Sequence, residues 1–285
     1  PVMLNYGQGS TWRCIAGGRP AFSIPALAEI GAQNRVLFEE LQKLRNIDYK
    51  PIQYVGFAHD EASYKALEAS MAWSKAEMIT PDKFREKISP YFNKKSSAYI
   101  AALLTDECWQ ATPGKSIGLL RDIAIENGGE FIDDCKVLDA KRDGSKTVVL
   151  AKLHNGEYIE FVANHFVNAM GYGAGEIADK MGINTGMYAV RHQALITSRL
   201  PMLGVNGDNL NMLIDRRRIG DFSAVYGQQL KHTGQFIACA SPAHDSTRIG
   251  KELKLNTEEF LQVTSNMLKE WIPELAGVDI QAIWS

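Results

Sequence analysis

The stretch Phe166-Val-Asn-Ala-Met-Gly-Tyr-Gly173 decides how the fold is interpreted. It overlaps the apolar run His165–Ala169, which is predicted to be a buried strand, and it precedes a predicted helix over Glu176–Met181. A glycine between a strand and a helix lets an anion approach the unpaired N–H groups of the helix N-terminus. The stretch therefore predicts a phosphate contact, although the same pattern also occurs at ordinary strand-to-helix turns.

The segments before this stretch indicate an α/β unit. Residues 115–127 carry apolar side chains on one helical face. Residues 130–133 and 136–140 predict two strands, the first of which would complete half of a βαβ crossover. Further on, Asn155-Gly156 separates two alternating apolar runs and is a strong hairpin signal. A strand, glycine turn and helix that follow such a unit are typical of a nucleotide-binding domain.

The remaining segments predict a second sheet. Helical spacing of apolar residues predicts an amphipathic helix over 21–45, and further helices are predicted from about 60 to 75 and from 257 to 271. The last third of the chain is rich in strands, predicted over 188–198, 210–215, 222–228 and 235–240. A predominantly antiparallel, mixed sheet therefore accompanies the α/β unit, and the fold class is α/β (α+β).

Composition narrows the class of partner. The chain has 285 residues, of which 45% are hydrophobic, and a formal net charge of -2, so we expect two globular domains and neither nucleic acid nor anionic lipid as a partner. No apolar stretch is long enough to span a bilayer and no signal peptide opens the sequence, which predicts a cytoplasmic protein. A small molecule is the expected partner. No metal is expected, because Cys14, Cys108, Cys135, Cys239, His232, His244 and Asp245 lack metal-ligand spacing.

Taken together, these motifs resemble the D-amino-acid oxidase superfamily of FAD enzymes, which includes the sarcosine, glycine and dimethylglycine oxidoreductases. The likeness runs over nearly the whole chain and is greatest to the sarcosine oxidase beta-subunit branch. The segments that carry it, besides those quoted above, are Cys135-Lys-Val137, Arg191-His-Gln-Ala-Leu-Ile-Thr197, Tyr226-Gly-Gln-Gln229, Gly234-Gln-Phe-Ile-Ala238 and Trp271-Ile-Pro-Glu-Leu275.

The resemblance implies a set of FAD contacts. Gly7-Gln-Gly-Ser-Thr11 is similar to the small-residue loop that lies against the pyrophosphate and the flavin ring, which a plain Ser/Thr turn also explains. Arg13 falls where the family often places a basic residue near the ring, although it also suits a surface position. The cofactor-binding residues implied are Gly9, Ser10, Thr11, Arg13, Val137, Ala169, Gly171 and Tyr172.

The resemblance also implies an activity, the oxidation of the C–N bond of a secondary amine or amino acid by hydride transfer to flavin. The protein then supplies positioning and charge while the cofactor does the chemistry. His192, Arg191 and Tyr226 are the candidate catalytic residues, as a cation for a substrate carboxylate or as a group that holds the amine neutral. For His192 the alternative is a histidine on the solvated face of a strand, and alternation along that strand would place Arg191 and Gln193 on the face opposite to it. Arg216-Arg-Arg218 is interpreted as a solvated turn instead of an anion site.

The sequence departs from the family at both ends. It contains no Gly-x-Gly-x-x-Gly turn, which in the family binds the FAD pyrophosphate, and it begins with Pro1 and stops at Ser285 within a strand-like run. We therefore expect a truncated chain that binds FAD poorly and is inactive in isolation. The predicted division is an incomplete flavin domain over 1–46 and 106–186, interleaved with a substrate domain over 47–105 and 187–281.

Three further expectations stay open. One is an enzyme of the same fold that oxidises a hydroxy acid or glycerol phosphate, which would need a basic cluster in the substrate domain. Another is a non-catalytic binding module that has lost its cofactor. An electron acceptor or a partner subunit is also possible in this family.

Overall fold

A computed structural model describes residues 9–22, 24–243 and 257–285. Its helices, in chain order, are Ser10–Arg13 (α1), Pro25–Leu44 (α2), Glu61–Ser70 (α3), Phe84–Lys87 (α4), Pro113–Glu126 (α5), Ala174–Lys180 (α6) and Thr257–Trp271 (α7). Its strands are Gly17–Gly18 (β1), Lys50–Ala58 (β2), Ala76–Ile79 (β3), Ala101–Gln110 (β4), Lys136–Asp143 (β5), Lys146–Lys152 (β6), Tyr158–Ala163 (β7), Gln193–Arg199 (β8), Met212–Asp215 (β9), Phe222–Gln229 (β10), Gln235–Pro242 (β11) and Ile280–Trp284 (β12). None of the helices described could span a membrane.

The strands form one large sheet and one small sheet. The large sheet has nine strands in the order β1-β4-β2-β9-β10-β11-β8-β12, with β3 paired to β4. Its only parallel pair among the described strands is β2 with β9. The predicted mixed, largely antiparallel sheet is therefore confirmed, together with the α/β fold class.

Each face of the large sheet has its own role. One row of paired residues crosses five strands and faces a single side: Trp284, Ala194, Cys239, Tyr226 and Ile214. Because side chains alternate along a strand, the neighbours Leu195, Val225 and Leu213 face the opposite side and belong to the main hydrophobic core. One face of the sheet is thus open for binding while the other holds the fold together.

Helix α7 covers the core face. Phe260, Val263, Met267 and Trp271 recur at helical spacing on α7 and are buried in the core. Burial of large apolar side chains contributes about 1.5 to 3 kcal/mol for each residue, so this contact is a main source of stability. The predicted helix over 257–271 is confirmed.

The small sheet is an antiparallel meander of β5, β6 and β7. Its β6–β7 turn contains Gly156 at φ +91°, a backbone conformation that favours glycine. Ala140 and Val149 of this sheet pack against Ile177 of α6. The hairpin predicted at Asn155-Gly156 is therefore confirmed.

Two strands predicted in the α/β unit are absent. Residues 165–169 have no regular structure and Val167 is 82% exposed, and residues 130–133 likewise form no strand, with Phe131 and Ile132 exposed. A strand needs a neighbour for its backbone hydrogen bonds, and within the described ranges no strand lies beside either segment. The predictions of a buried strand and of half a βαβ crossover are wrong for this chain.

Sequence patterning also missed β4, the second strand from the β1 end of the large sheet. Its first five residues are all buried, but Asp106 and Glu107 interrupt the apolar run. Glu107 has φ +62°, and the β2–β4 register shifts at this point. The irregularity hides the period of two on which strand prediction depends.

Candidate active site

A cavity of about 600 Å³ lies on the binding face of the large sheet. Its floor is the five-residue row described above, and its walls come from three places: the segment from Gly9 to Arg19, the segment from Ala189 to Gln193, and Tyr54 with Met212. Pockets of this size suit a small organic ligand.

Arg216 lies on the cavity side of β9. Met212 and Ile214 line the cavity, and Arg216 continues the same alternation one step beyond the end of the strand. The interpretation of Arg216-Arg-Arg218 as a solvated turn agrees with the exposure of Arg216, but this residue also lines the cavity. The signal was present in the sequence, since a period of two extended past Asp215 puts Arg216 on the face of Met212.

Arg19 lines the same cavity from the opposite segment of the chain. Withdrawal from bulk water and the charge of Arg19 both lower the pKa of Arg216. Among the described residues neither guanidinium forms an ion pair, and Arg19 only lies over the Phe22 ring, with 4.6 Å between its Cζ and the ring centroid. Sequence reasoning missed Arg19 because it follows a glycine pair that carries no strand or helix signal.

The polar cluster behind the sheet fixes Arg216. Asp215 is fully buried, and its carboxylate accepts a hydrogen bond of 2.8 Å from the Tyr99 hydroxyl and one of 2.7 Å from an Arg217 Nη2. His59 Nε2 lies 3.0 Å from the same carboxylate, and Arg217 also pairs with Glu270 at 3.0 Å. Burial alone would raise the pKa of Asp215. The hydrogen bonds and positive charges of these partners have the larger effect, and the pKa of Asp215 lies well below its usual range.

The segment that carries Arg19 is held by close backbone packing. Gly17 and Gly18 form β1 and pair with Gln110 and Trp109 of β4. A Cβ at Gly17 would lie 2.4 Å from the Tyr54 hydroxyl oxygen, and one at Gly18 would lie 2.2 Å from the Trp109 ring. Only glycine therefore allows the segment to reach the sheet here.

Buried amides fix the same segment from the other side. The Gln228 side chain donates a hydrogen bond of 2.5 Å to the Ile15 carbonyl oxygen, and Gln110 donates one of 2.7 Å to the Gln228 side-chain oxygen. Both glutamines are buried. An unpaired buried carbonyl costs about 1 to 3 kcal/mol, so this pair determines where the segment lies.

His192 and Tyr226 meet inside the cavity. The Nδ1 of His192 lies 3.4 Å from the Tyr226 hydroxyl oxygen, and both residues line the cavity. His192 is exposed at the cavity wall, and its partial withdrawal from water lowers its pKa, whereas burial raises the pKa of Tyr226. At neutral pH His192 is therefore neutral and Tyr226 keeps its proton, so the site holds a proton acceptor beside a proton donor.

The structure brings most of the predicted site residues together. The candidate catalytic residues His192, Arg191 and Tyr226 all line the cavity, although alternation along a strand was expected to turn Arg191 away from His192. Both precede the first residue of β8, where strand alternation does not apply. Of the predicted cofactor residues the cavity lining includes Gly9, Ser10, Arg13 and Tyr172.

Four predicted cofactor residues lie elsewhere. Thr11 is exposed on α1, Val137 lies on β5, and Ala169 and Gly171 are exposed in the segment before α6. They do not line the cavity. Their predicted contacts with the distant parts of FAD stay predictions.

A thiol nucleophile and a metal site are two other candidate chemistries, and the described residues favour neither. Cys239 lines the cavity, but burial raises the pKa of its thiol to about 12, so it stays protonated at neutral pH. Over the described ranges, no three His, Cys, Asp or Glu side chains cluster in a way that could hold a metal ion. His244 and Asp245 lie outside the described residues.

Comparison with known proteins identifies the family of the chain. The family model described as "DAO: FAD dependent oxidoreductase" matches residues 5–285. The chain belongs to this family. No curated protein matches the chain in sequence.

Solved structures of several DAO-like enzymes share the fold. L-proline dehydrogenase from P. horikoshii has a TM-score of 0.79 and 22% identity, with 97% of this chain and 71% of that one covered. Glycine oxidase from Geobacillus kaustophilus has a TM-score of 0.74 and 16% identity, with coverage of 98% and 72%. L-alpha-glycerophosphate oxidase from Mycoplasma pneumoniae, with FAD bound, has a TM-score of 0.74 and 14% identity, with coverage of 97% and 72%.

The cavity of this DAO-family chain fits the ring end of FAD, the cofactor of the family. The ring is flat and largely apolar with polar atoms at its rim, and the cavity offers apolar walls from Tyr54, Met212 and Trp284. The Ser10 hydroxyl and the Arg13 guanidinium provide polar groups at the edge. Trp284 also donates a hydrogen bond of 2.9 Å to the Arg13 carbonyl oxygen, which ties this edge to β12.

Proposed function

We propose that this chain forms the substrate side of an FAD-dependent enzyme that oxidises the C–N bond of a secondary amine or amino acid, of the sarcosine, glycine or proline kind. The observation that carries the proposal is that Arg19 and Arg216 line the same cavity as the His192–Tyr226 pair. An amino acid carries an anionic carboxylate and a cationic amine, and the cavity offers a cation for the first and a neutral base for the second.

The arginines bind the carboxylate in this proposal. A guanidinium matches a carboxylate with two parallel hydrogen bonds, and Arg216 is fixed in place because Asp215 and Arg217 anchor the strand end beside it. The bound carboxylate then determines which carbon of the substrate lies over the centre of the cavity. This orientation is the part of catalysis that the protein supplies.

His192 accepts the proton of the substrate ammonium. An amine whose lone pair holds a proton does not release a hydride equivalent from its neighbouring carbon, so the proton must leave first. His192 is neutral at neutral pH because its partial withdrawal from water lowers its pKa, and an imidazole is the usual acceptor in this pH range. Bound FAD supplies the hydride acceptor, which leaves a C=N double bond in the product.

The residues proposed to hold FAD divide into two groups. Gly9, Ser10, Arg13 and Tyr172 line the cavity and suit the ring end, whereas Thr11, Val137, Ala169 and Gly171 are proposed for the phosphate and adenine ends. In the same proposal residues 1–46 and 106–186 belong to the flavin domain, and 47–105 and 187–281 to the substrate domain.

A second candidate function is oxidation of a hydroxy acid or of glycerol phosphate. The sequence argument required a basic cluster for it, and Arg19 with Arg216 supports such a cluster. The FAD-bound glycerophosphate oxidase, which has a similar fold, acts on a substrate of that kind by its name. A neutral His192 suits this chemistry too, as the acceptor of a hydroxyl proton.

A substrate panel tests the proposal. Protein with FAD added is first checked for flavin absorbance and then supplied with N-methyl amino acids, proline, glycine, lactate and glycerol 3-phosphate, together with an artificial dye as electron acceptor. Turnover of the amines supports the proposal. Turnover of lactate or glycerol 3-phosphate with none of the amines would overturn it in favour of the second candidate.

A further inference from the structure

The charges around the cavity are unbalanced. Four arginines line it, Arg13, Arg19, Arg191 and Arg216, and none of the Asp or Glu side chains of the described residues does. In the rest of the described structure most buried or half-buried cations have a carboxylate partner, as Arg217 has Asp215 and Glu270, and Lys50 has Asp208. The cavity therefore differs from the rest of the described structure, because its lining contains cations and no carboxylate side chain.

Arg19 and Arg216 form the part of this lining that the protein leaves without a carboxylate. Neither has an ion pair with a described residue. Gly17, two residues before Arg19, packs against the Tyr54 hydroxyl and the Met212 side chain. Met212 lies on β9, the strand that leads to Arg216, so the segment that carries Arg19 lies beside that strand at the cavity. Withdrawal from water and the charge of Arg19 both lower the pKa of Arg216.

A single carboxylate neutralises only one of the two charges. It can accept hydrogen bonds from both guanidiniums, as the Asp208 carboxylate does from Lys50 and Lys231, but one negative charge then faces two positive charges as the ligand displaces water from the cavity. An unpaired cation that loses its water is unfavourable. A ligand with two negative charges removes this cost, since each guanidinium then has its own anionic partner.

We propose that the substrate carries two negative charges at this end, either as a second carboxylate or as a phosphate, and that Arg19 and Arg216 select for it. This inference rests on the proposed function for the identity of the reacting group. It adds the substrate class, which is a dicarboxylic amino acid when the reaction is amine oxidation.

Matched non-reacting ligands test the charge selection directly. Succinate and its monoamide succinamate differ by one negative charge and little in size. In protein saturated with FAD, we expect calorimetry to give a dissociation constant for succinate at least about tenfold lower than that for succinamate. A ratio near one in the unmodified protein would overturn the inference, and this measurement does not depend on whether any variant folds.

Two variants locate the effect. Arg216→Gln should bring the succinate to succinamate ratio close to one, whereas Arg218→Gln, an exposed neighbour that does not line the cavity, should leave it unchanged. A ratio that survives in Arg216→Gln would overturn the assignment to this residue.

Turnover separates this inference from the proposed function. N-methylaspartate should be oxidised with a higher kcat/KM than N-methylasparagine, and the preference should be lost in Arg216→Gln. Equal turnover of the two amines would overturn the inference while the proposed function stands. If glycerol 3-phosphate is oxidised and neither amine is, the preference for a substrate with two negative charges would be supported and the proposed amine oxidation would be overturned.

Discussion

Arg216 and Arg217 are adjacent in the chain and have opposite environments. Arg217 is held behind the sheet by Asp215 and Glu270, whereas Arg216 lines the cavity in front of it. Side chains alternate between the two faces at the end of β9, which places the two arginines on opposite sides of the sheet. The ion pairs of Arg217 prevent a shift of this strand end by one residue, which would exchange the two side chains. The surrounding polar cluster is therefore a positioning device for the cavity.

We expect Asp215→Asn to destabilise the fold by on the order of 3 kcal/mol, because it removes the carboxylate that pairs with the half-buried Arg217. Urea denaturation followed by circular dichroism measures the change. Glu270→Gln is the control, since Glu270 is partly exposed and its loss should cost less. Equal losses in the two variants would contradict the anchoring role of Asp215.

The same residue predicts a pH dependence of stability. The pKa of Asp215 is lower in the folded than in the unfolded protein, so its contribution is complete above the unfolded value of about 3.9 and is lost as the pH falls from there toward the folded value. The free energy of unfolding should therefore fall more steeply with acidification in the unmodified protein than in Asp215→Asn. Parallel curves would show that Asp215 is not the responsible group.

The pKa of His192 predicts how the activity falls at low pH, on the acid limb of the pH–activity profile. Partial withdrawal from water lowers this pKa, so the neutral form persists to a pH below 6.5 and kcat/KM should begin to fall only below that value. We expect His192→Gln to reduce kcat by on the order of 100-fold and to remove this limb, leaving only the titration of the substrate amine. A limb that persists in His192→Gln would assign it to another group.

Tyr226→Phe separates the phenol ring from its hydroxyl. The ring stays in the row that forms the cavity floor, while the 3.4 Å contact of the hydroxyl with His192 and its hydrogen bonds with Cys239 and Ser241 are lost. We expect a small change in KM and a shift of the acid limb, because the hydroxyl no longer meets the imidazole. A fall in kcat as large as that of His192→Gln would instead give Tyr226 a direct part in the proton transfer.

Gly18→Ala tests the close packing of β1. The added Cβ would lie 2.2 Å from the Trp109 ring, so the segment must move, at a cost of about 1 to 3 kcal/mol. The thermal midpoint should fall accordingly. Gly173→Ala is the matched control, since its φ is −87° and its nearest neighbour would be 4.0 Å away, and its midpoint should stay the same or rise.

Elements whose pattern is local could be predicted from the amino-acid sequence alone. The hairpin at Asn155-Gly156, helix α5 and helix α7 were predicted because a turn residue or a helical period is visible within about ten residues. The sequence also led to the correct family and to His192, Tyr226 and Arg13, which line one cavity and whose roles stay predictions.

The remaining features depend on partners that are distant in the chain, so only the three-dimensional contacts establish them. Residues 165–169 are apolar enough for a strand but have no neighbour among the described strands to pair with. Arg19 and Arg216 are almost 200 positions apart, and pairing of β1 with β4 and of β2 with β9 brings them to one cavity. Charge patterning along the chain could not reveal that these two cations meet without a carboxylate between them.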